Sequence, residues 1–491
     1  MITVFTRNYP MDLIRPTRLL YDLIAFSDDV AYQRSVFYRF LAGLEQDVWG
    51  IEHKTAILRL IIMPMIVYRA RSASRDALLD SGLVKQIHKL ILMPMMAENP
   101  LLDGDYLLHI ELLHFTTVLV QTYGPQLDEA RRDIIKCTWN FITSEDAMVR
   151  QVVYLLAANF FAAYDTPEKF ILRAWTGLLK PPHYESRTLV RRALNILTPS
   201  LLRCKSAEDG FPVWAKTTRR LLAEESHGQS QLIIVYQVVV RQADLFYPVR
   251  ALFIPHMVNS SHKLGMHGSA SAETRHLSIE LMQTIVDWEQ EAAEQKPELE
   301  KKVVGLKAEL AKKGAELKGA ERKEKEDELK AVEQELAIFW RTPLPFRENV
   351  VSYLVRLTTV QHDSSSRTSI IGRALALLKQ IVGTNGWKDV TVKLHFFGRM
   401  FEQADLTTLS PDNFAAALLF AKVLQVVTID KTDLWYQDPD NAVVLSKLVR
   451  KGLLTDVAFQ DALHPIFDRL VPRCPKRTKS STRCYPTSTT G

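Results

Sequence analysis

The stretch Ser271–Trp288, SAETRHLSIELMQTIVDW, carries Leu277, Leu281, Ile285 and Trp288 at steps of four, four and three. Those steps put the four side chains on one face of an α-helix. The same period governs nearly every patterned segment before residue 289, in runs of 12 to 20 residues. HKTAILRLIIMPMIVYRARS, LVKQIHKLILMPMM and YLLHIELLHFTTVLVQTYG each read as one helix. RLLAEESHGQSQLIIVYQVVVRQ reads as helix interrupted at Ser226–Gly228. Alternation of period two bounded by hairpin turns is almost absent. The β-branched run IIVYQVVV therefore reads as a buried helix, since it has helical neighbours and no partner strand. Breaks are expected at Gly124-Pro125, Pro181-Pro182, Pro199, Pro212, Pro248 and from Gly265 to Gly268.

Several helices open with an acidic residue and an arginine: DEARRDIIKCTW, EDAMVRQVVYLL, YESRTLVRRALNIL and SAETRHLSIEL. The arginines Arg131, Arg150, Arg187 and Arg275 are separated by 19, 37 and 88 residues. One helix with its turn, one helical hairpin and two hairpins account for these gaps, and HEAT repeats run roughly 40–47 residues. A hairpin with one apolar face is covered only by its neighbour, so stacking is the fold. The expected class is all-α, a HEAT-like helical-repeat superhelix (α-solenoid) over residues 1–288. An acidic residue in a first turn meets favourable backbone dipoles. Each nearby arginine, Arg187 included, is expected to bond a carboxylate or carbonyl within its repeat or in the next one.

Residues 289–335 are different material. They hold 14 acidic and 11 basic residues, more than half of the segment, for a net charge of −3. Leu299, Leu306, Leu310, Leu317, Leu329, Val332 and Leu336 keep a roughly heptad-like spacing, and Glu and Lys recur three or four apart. This predicts a charged helical insertion, a long exposed helix or a helical hairpin. Residues 336–471 return to amphipathic period and read as further helical repeats. Residues 472–491 carry five basic and no acidic residues and are expected to be a disordered basic tail. Removing the −3 of the insertion and the +5 of the tail from the chain's +6 leaves +4 over the remaining body, too little to indicate nucleic-acid binding.

Candidate chemistry is sparse. GTNGWK at 383–388 lacks P-loop spacing and reads as a helix end and turn. No HRD, DFG or HExxH sequence occurs. His53, His88, His109 and His114 lie within helical patterns and read as helix histidines. Cys137 and Cys204 fall in apolar patterns, and Cys474 and Cys484 have no histidine nearby. Asp165-Thr166-Pro167 reads as a helix entry with proline at its first turn. Phe246, Tyr247 and Pro248 read as a packed turn. No catalytic, cofactor-binding or metal residues are assigned, and no cofactor is expected. No run is long enough to span a membrane, and MITVFTRNYP is not a signal peptide, which together suggest a soluble intracellular protein. The tail's KRTK at 476–479 is a weak import signal.

The passages Ala130–Leu201, Arg219–Gly265 and Ser271–Glu289 resemble the HEAT region of the Tra1/TRRAP family, the pseudokinase branch of the phosphatidylinositol-3-kinase-related proteins. The order and density of matching words carry the resemblance, which is strong over about 55–290 and fades after the charged insertion; the tail resembles nothing in the family. It implies a non-catalytic scaffold in the nucleus, part of SAGA and NuA4-type histone acetyltransferase complexes. Complex subunits and transcriptional activators are the implied partners, with neither sequence-specific nucleic-acid binding nor membrane contact. Family members are far longer and have further domains, so the chain is expected to be an internal segment. The alternatives are a helical-repeat segment of an active related kinase and a HEAT-type transport adaptor.

Overall fold

Helix follows the apolar period throughout the computed structural model. It describes residues 14–71, 78–96, 106–142, 144, 146–180, 187–204, 210–224, 229–313, 319–337, 339–359, 364–383, 386–390, 411–430, 439, 443 and 457–470. The chain divides into two units, Met1–Leu245 and Phe246–Gly491. No β-strand occurs among the described residues.

The first unit contains α1 (Ile14–Leu20), α2 (Val30–Glu45), α3 (Ile51–Ile57), α4 (Met63–Arg71), α5 (Ser81–Ile87), α6 (Met93–Met95) and α7 (Tyr106–Tyr123). It continues with α8 (Arg131–Ile142), α9 (Ala147–Ala163), α10 (Glu168–Leu179), α11 (Arg187–Leu197), α12 (Val213–Glu224) and α13 (Gln229–Arg241). Helix α9 packs on α7, α8 and α11, and α10 packs on α11 and α12. Being covered from several sides explains why α9 is buried almost all round, from Gln151 to Phe161. The run IIVYQVVV lies within α13 and is buried from Leu232 to Tyr236. The interruption expected at Ser226–Gly228 lies outside the described residues, although α12 ends at Glu224 and α13 starts at Gln229.

Two segments read as single helices each contain a wide π turn. Leu58–Ile62 precedes Pro64, and His88–Leu92 precedes Pro94. Proline has no N–H and its ring crowds the carbonyl four residues back. An extra residue in the turn relieves that clash and places the missing donor where the ladder is already interrupted. A third π turn, Tyr21–Ala25, leaves spare carbonyls. The fully buried Gln33 side chain donates to the carbonyls of Ile24 (3.2 Å) and Ala25 (2.8 Å), and Arg69 Nε donates to Gln33 Oε1 at 2.6 Å. The Gln33 amide thus satisfies two carbonyls at the end of that turn.

Repeat periodicity is written directly in the side-chain bonds. Tyr38 donates to Asp80 (3.0 Å), Tyr164 to the Gly124 carbonyl (2.8 Å) and Trp175 to Thr218 (2.8 Å), across 42, 40 and 43 residues. His88 and Asp133 meet at 2.8 Å across 45 residues, and Ser200 donates to the Phe161 carbonyl at 3.0 Å across 39. These separations are those of a HEAT unit. The opening arginines behave otherwise. Arg131 bonds Asp128 at 3.1 Å, and Arg150 donates to the Ser144 carbonyl, both inside their own turns. Arg275 is buried in its helix, and the side chain of Arg187 lies outside the described residues. Arg131 and Arg150 thus tie down helix entries, and other residues carry the bonds between repeats. Asp29, Asp80 and Asp146 cap α2, α5 and α9 through their side chains.

The one-turn helix α14 (Ala243–Phe246) spans the unit boundary. The second unit then holds α15 (Arg250–Gly265), α16 (Ala272–Lys313), α17 (Gly319–Ala337), α18 (Leu344–Thr359), α19 (Ser364–Val382), α20 (Pro411–Asp430) and α21 (Val457–Leu470). Helix α16 packs on α15, α17 and α19, while α18 packs on α15, α19 and α20. At 42 residues, α16 runs without a break from buried core into the charged segment, with Pro297 inside it. Helix α17 returns alongside. Val303 and Val332 are buried, and Lys302–Glu328 (3.1 Å), Lys307–Glu333 (2.7 Å) and Lys325–Glu309 link the two helices. The tail at 472–491, with its cysteines and KRTK, lies outside the described residues.

Candidate functional site: a cleft at the root of the charged hairpin

Where α16 leaves the core, its side chains grip the segment that returns from α17. Glu289 is 2% exposed. Its carboxylate accepts from Arg341 Nε (2.8 Å) and Nη2 (2.5 Å), and from the Thr342 backbone N–H at 3.0 Å. Arg347 donates from Nε to the Thr342 carbonyl at 3.0 Å and makes a bidentate pair with Asp389 at 2.6 and 2.7 Å. Such fork-to-fork pairing is the strongest side-chain ion geometry available. The Arg347 hydrogen bonds hold the Asp389 carboxyl below the usual carboxylate range. Arg250 donates to the carbonyls of Tyr247 (2.9 Å) and Trp340 (2.7 Å), and its guanidinium stacks 4.1 Å over the Tyr247 ring. Burial lowers the Arg250 pKa from its ordinary value and raises that of Tyr247. Phe246, Tyr247 and Pro248 form the packed turn expected of them: Phe246 meets Phe253 edge-on at 5.0 Å, and Tyr247 donates to Gln295 at 2.8 Å.

Beside this root lies a cleft of about 560 Å³. Val286, Ala293, Ile381 and Trp387 supply its apolar lining, and Gln290, Glu294, Gln380, Arg341 and Lys388 its polar lining. The turn in GTNGWK shapes one side. Trp387 N–H donates to the Ile381 carbonyl at 2.8 Å, and a Cβ on Gly386 would overlap that carbonyl, so only glycine permits the approach. That turn delivers Trp387, Lys388 and Asp389 together. Among the described residues the lining is made of apolar, amide and charged side chains.

The histidines noted in the sequence do not converge. His88 pairs with Asp133, His109 lies 5.8 Å from the Phe141 ring, and His114 is 4.0 Å from Glu111. Among the described residues no group of three or more His, Cys, Asp or Glu is placed to hold a metal ion. Cys137 and Cys204 are buried free thiols, raised by that burial to about 12 and about 11. Pro167 occupies the cap position before α10 rather than its first turn. Among the described residues no single helix is long and apolar enough to cross a membrane. Sequence reasoning missed Glu289, Arg250 and Arg347, which look like any other charges beside a charged segment.

Comparison with known proteins settles the lineage. The sequence profile described as "Tra1 HEAT repeat ring region" matches residues 1–489. The chain belongs to the Tra1 ring family. The match extends through the charged insertion and into the basic end. Relatives include the Dictyostelium discoideum "Probable transcription-associated protein 1", 29% identical over 59% of this chain and 6% of the relative. The Saccharomyces cerevisiae "SAGA complex/NuA4 acetyltransferase complex subunit TRA1" is 25% identical over 72% of this chain and 9% of the relative. The human "Transformation/transcription domain-associated protein" is 23% identical over 82% of this chain and 11% of the relative. The chain thus spans about a tenth of the length of these Tra1-family relatives or less.

Proposed function

We propose that this chain is a non-catalytic scaffold segment of a SAGA/NuA4-type histone acetyltransferase assembly in the nucleus, presenting surface to complex subunits and transcriptional activators. The observation that carries the reading is the family match over residues 1–489, together with the likeness to the yeast SAGA/NuA4 acetyltransferase complex subunit. The repeat architecture supports it, because stacked hairpins expose long edges that suit broad protein interfaces. A modest body charge of +4 and a hairpin of −3 favour protein partners over nucleic acid. Affinity purification of the endogenous product at elevated salt, followed by mass spectrometry, tests the proposal. Recovery of acetyltransferase and adaptor subunits is the expected result. Recovery of transport receptors alone, or of a co-purifying ATP-dependent kinase activity intrinsic to the chain, refutes it.

A further inference from the structure

Basic residues are not spread evenly over the first unit. Cations stand four apart on four helical segments: Lys85 and Lys89, Arg132 and Lys136, Lys169 and Arg173, Lys216 and Arg220. The pairs begin 47, 37 and 47 residues apart, so they return with the repeat. The segments that carry them, residues 81–95, α8, α10 and α12, are neighbours in that order. His88 bonds Asp133 at 2.8 Å, Trp139 meets Phe170 at 6.4 Å, and Trp175 donates to Thr218 at 2.8 Å. Together these segments hold ten basic and three acidic residues, a net of +7. Asp133 is already taken by His88 and Lys136, and Glu224 by Arg220 at 3.4 Å. Lys85, Arg132, Lys169 and Arg173 are exposed and form no ion pair among the described residues. Like charges four apart cost a helix stability, so a pattern repeated on four neighbouring segments serves something other than folding. The whole-chain balance that favours protein partners averages this row against the acidic hairpin.

We propose that this row binds a nucleic-acid duplex through its phosphate backbone, without regard to sequence. Neighbouring helix axes lie about 8–10 Å apart, so four segments span about 27 Å, the rise of roughly eight base pairs. Contacts to phosphates alone fix position and carry no sequence information. A single strand fits less well. Arg173 stands 5.1 Å over the Trp139 ring and Lys169 stands 5.1 Å over the Phe170 ring, so both faces are covered where unpaired bases would stack. An acidic protein segment fits less well too, because such interfaces need apolar anchors near their centre. The exposed large apolar side chains on these segments are Met93 and Val213, on the first and last of them. The inference goes beyond the scaffold reading and does not rest on it.

The test uses the full 491-residue chain and fluorescence anisotropy over a series of salt concentrations. The probe is a fluorescein-labelled DNA duplex of about 20 base pairs, more than twice the span of the row. Labelled oligothymidylate and labelled polyglutamate are the comparisons. Saturable duplex binding is expected, with log Kd rising against log salt at a slope of about 4–6, as five to seven phosphate contacts require. Lys169→Gln with Arg173→Gln should lower that slope by about 2 and weaken binding about tenfold or more at about 0.1 M salt. Lys85→Gln with Arg132→Gln should do the same from a neighbouring part of the row. Neither pair has an ionic partner to lose, so both double variants should melt close to the parent. Lys301→Gln with Lys323→Gln removes the same charge from the exposed hairpin and should leave the slope unchanged. A parent slope below about 2 overturns the proposal. So does a slope unmoved in both row variants, an equal loss in the hairpin variant, or oligothymidylate or polyglutamate bound more tightly than the duplex. Recovery of acetyltransferase subunits is read separately, so failure here leaves the scaffold reading standing.

Discussion

Glu289→Ala isolates what holds the returning segment at the hairpin root. The substitution leaves the Thr342 N–H, at a residue 2% exposed, without its acceptor. An orphaned buried donor costs about 1–3 kcal/mol. The Arg341 side chain is 42% exposed and regains water, so the loss stays below the roughly 3–5 kcal/mol of a fully buried broken pair. The two considerations together give about 2–3 kcal/mol. For a unit of this size that corresponds to a fall of roughly 4–12 °C in its melting temperature. Glu289→Gln keeps an acceptor for Thr342 and gives up the charge, so it should cost about half as much. Thermal unfolding gives the magnitude, and hydrogen exchange on peptides covering residues 339–343 gives the location. Protection there should drop in the alanine variant while α9 exchanges as in the parent. Unchanged melting together with unchanged exchange at Thr342 would refute the view that Glu289 anchors this segment.

Three further outcomes are expected. Replacing 298–335 with a short Gly/Ser linker should leave cooperative unfolding intact, whereas replacing 289–335 should not, because Glu289 and Ala292 are buried and Gln295 holds Tyr247; equal melts for the two deletions would contradict this. Gly265→Ala should cost about 1–3 kcal/mol by overpacking, since a methyl there overlaps the Tyr353 hydroxyl that donates to Ser278 at 2.5 Å. Adding Tyr353→Phe should make the double variant cost less than the sum of the two, and strict additivity in denaturant melts would count against that overlap. Asp389 has a depressed pKa, so its contribution to stability is present above the ordinary carboxylate range and is lost as pH falls below about 4. Asp389→Asn should therefore flatten the acid limb of the melting-temperature profile, and parallel limbs for variant and parent would overturn the assignment.

The helices were legible because burial imposes a 3.6-residue period that survives in the sequence, as in Leu277, Leu281, Ile285 and Trp288. The repeat length was legible too, although Arg131 and Arg150, two of the arginines that suggested it, bond locally and other residues bridge the repeats. The π turns at Pro64 and Pro94 were signalled by Met-Pro-Met in both segments and went unread, since apolar period persists through an extra residue. The hairpin root was hidden for a different reason. Glu289 is one acidic residue among many, and nothing local tells which one turns inward. That depends on where Thr342 and Arg341 arrive, some 50 residues later. The GTNGWK turn was recognised as a turn, but its close approach to Ile381 exists only once the chain has folded.

Helix α16 gives the second unit a lever. At about 1.5 Å per residue its 42 residues extend roughly 63 Å, and the arm beyond Ala292 accounts for about 32 Å of that. Pro297 sits just past the last fully buried side chains and removes one rung of the backbone ladder there. Bending is therefore cheapest at the fulcrum, and the arm on either side stays stiff. Glu289, Gln290, Ala293 and Glu294, on the last turns before that flexure, line the cleft. Load on the outer arm is therefore taken up by bending at Pro297, just outboard of the cleft wall, and the wall keeps its shape while the arm swings.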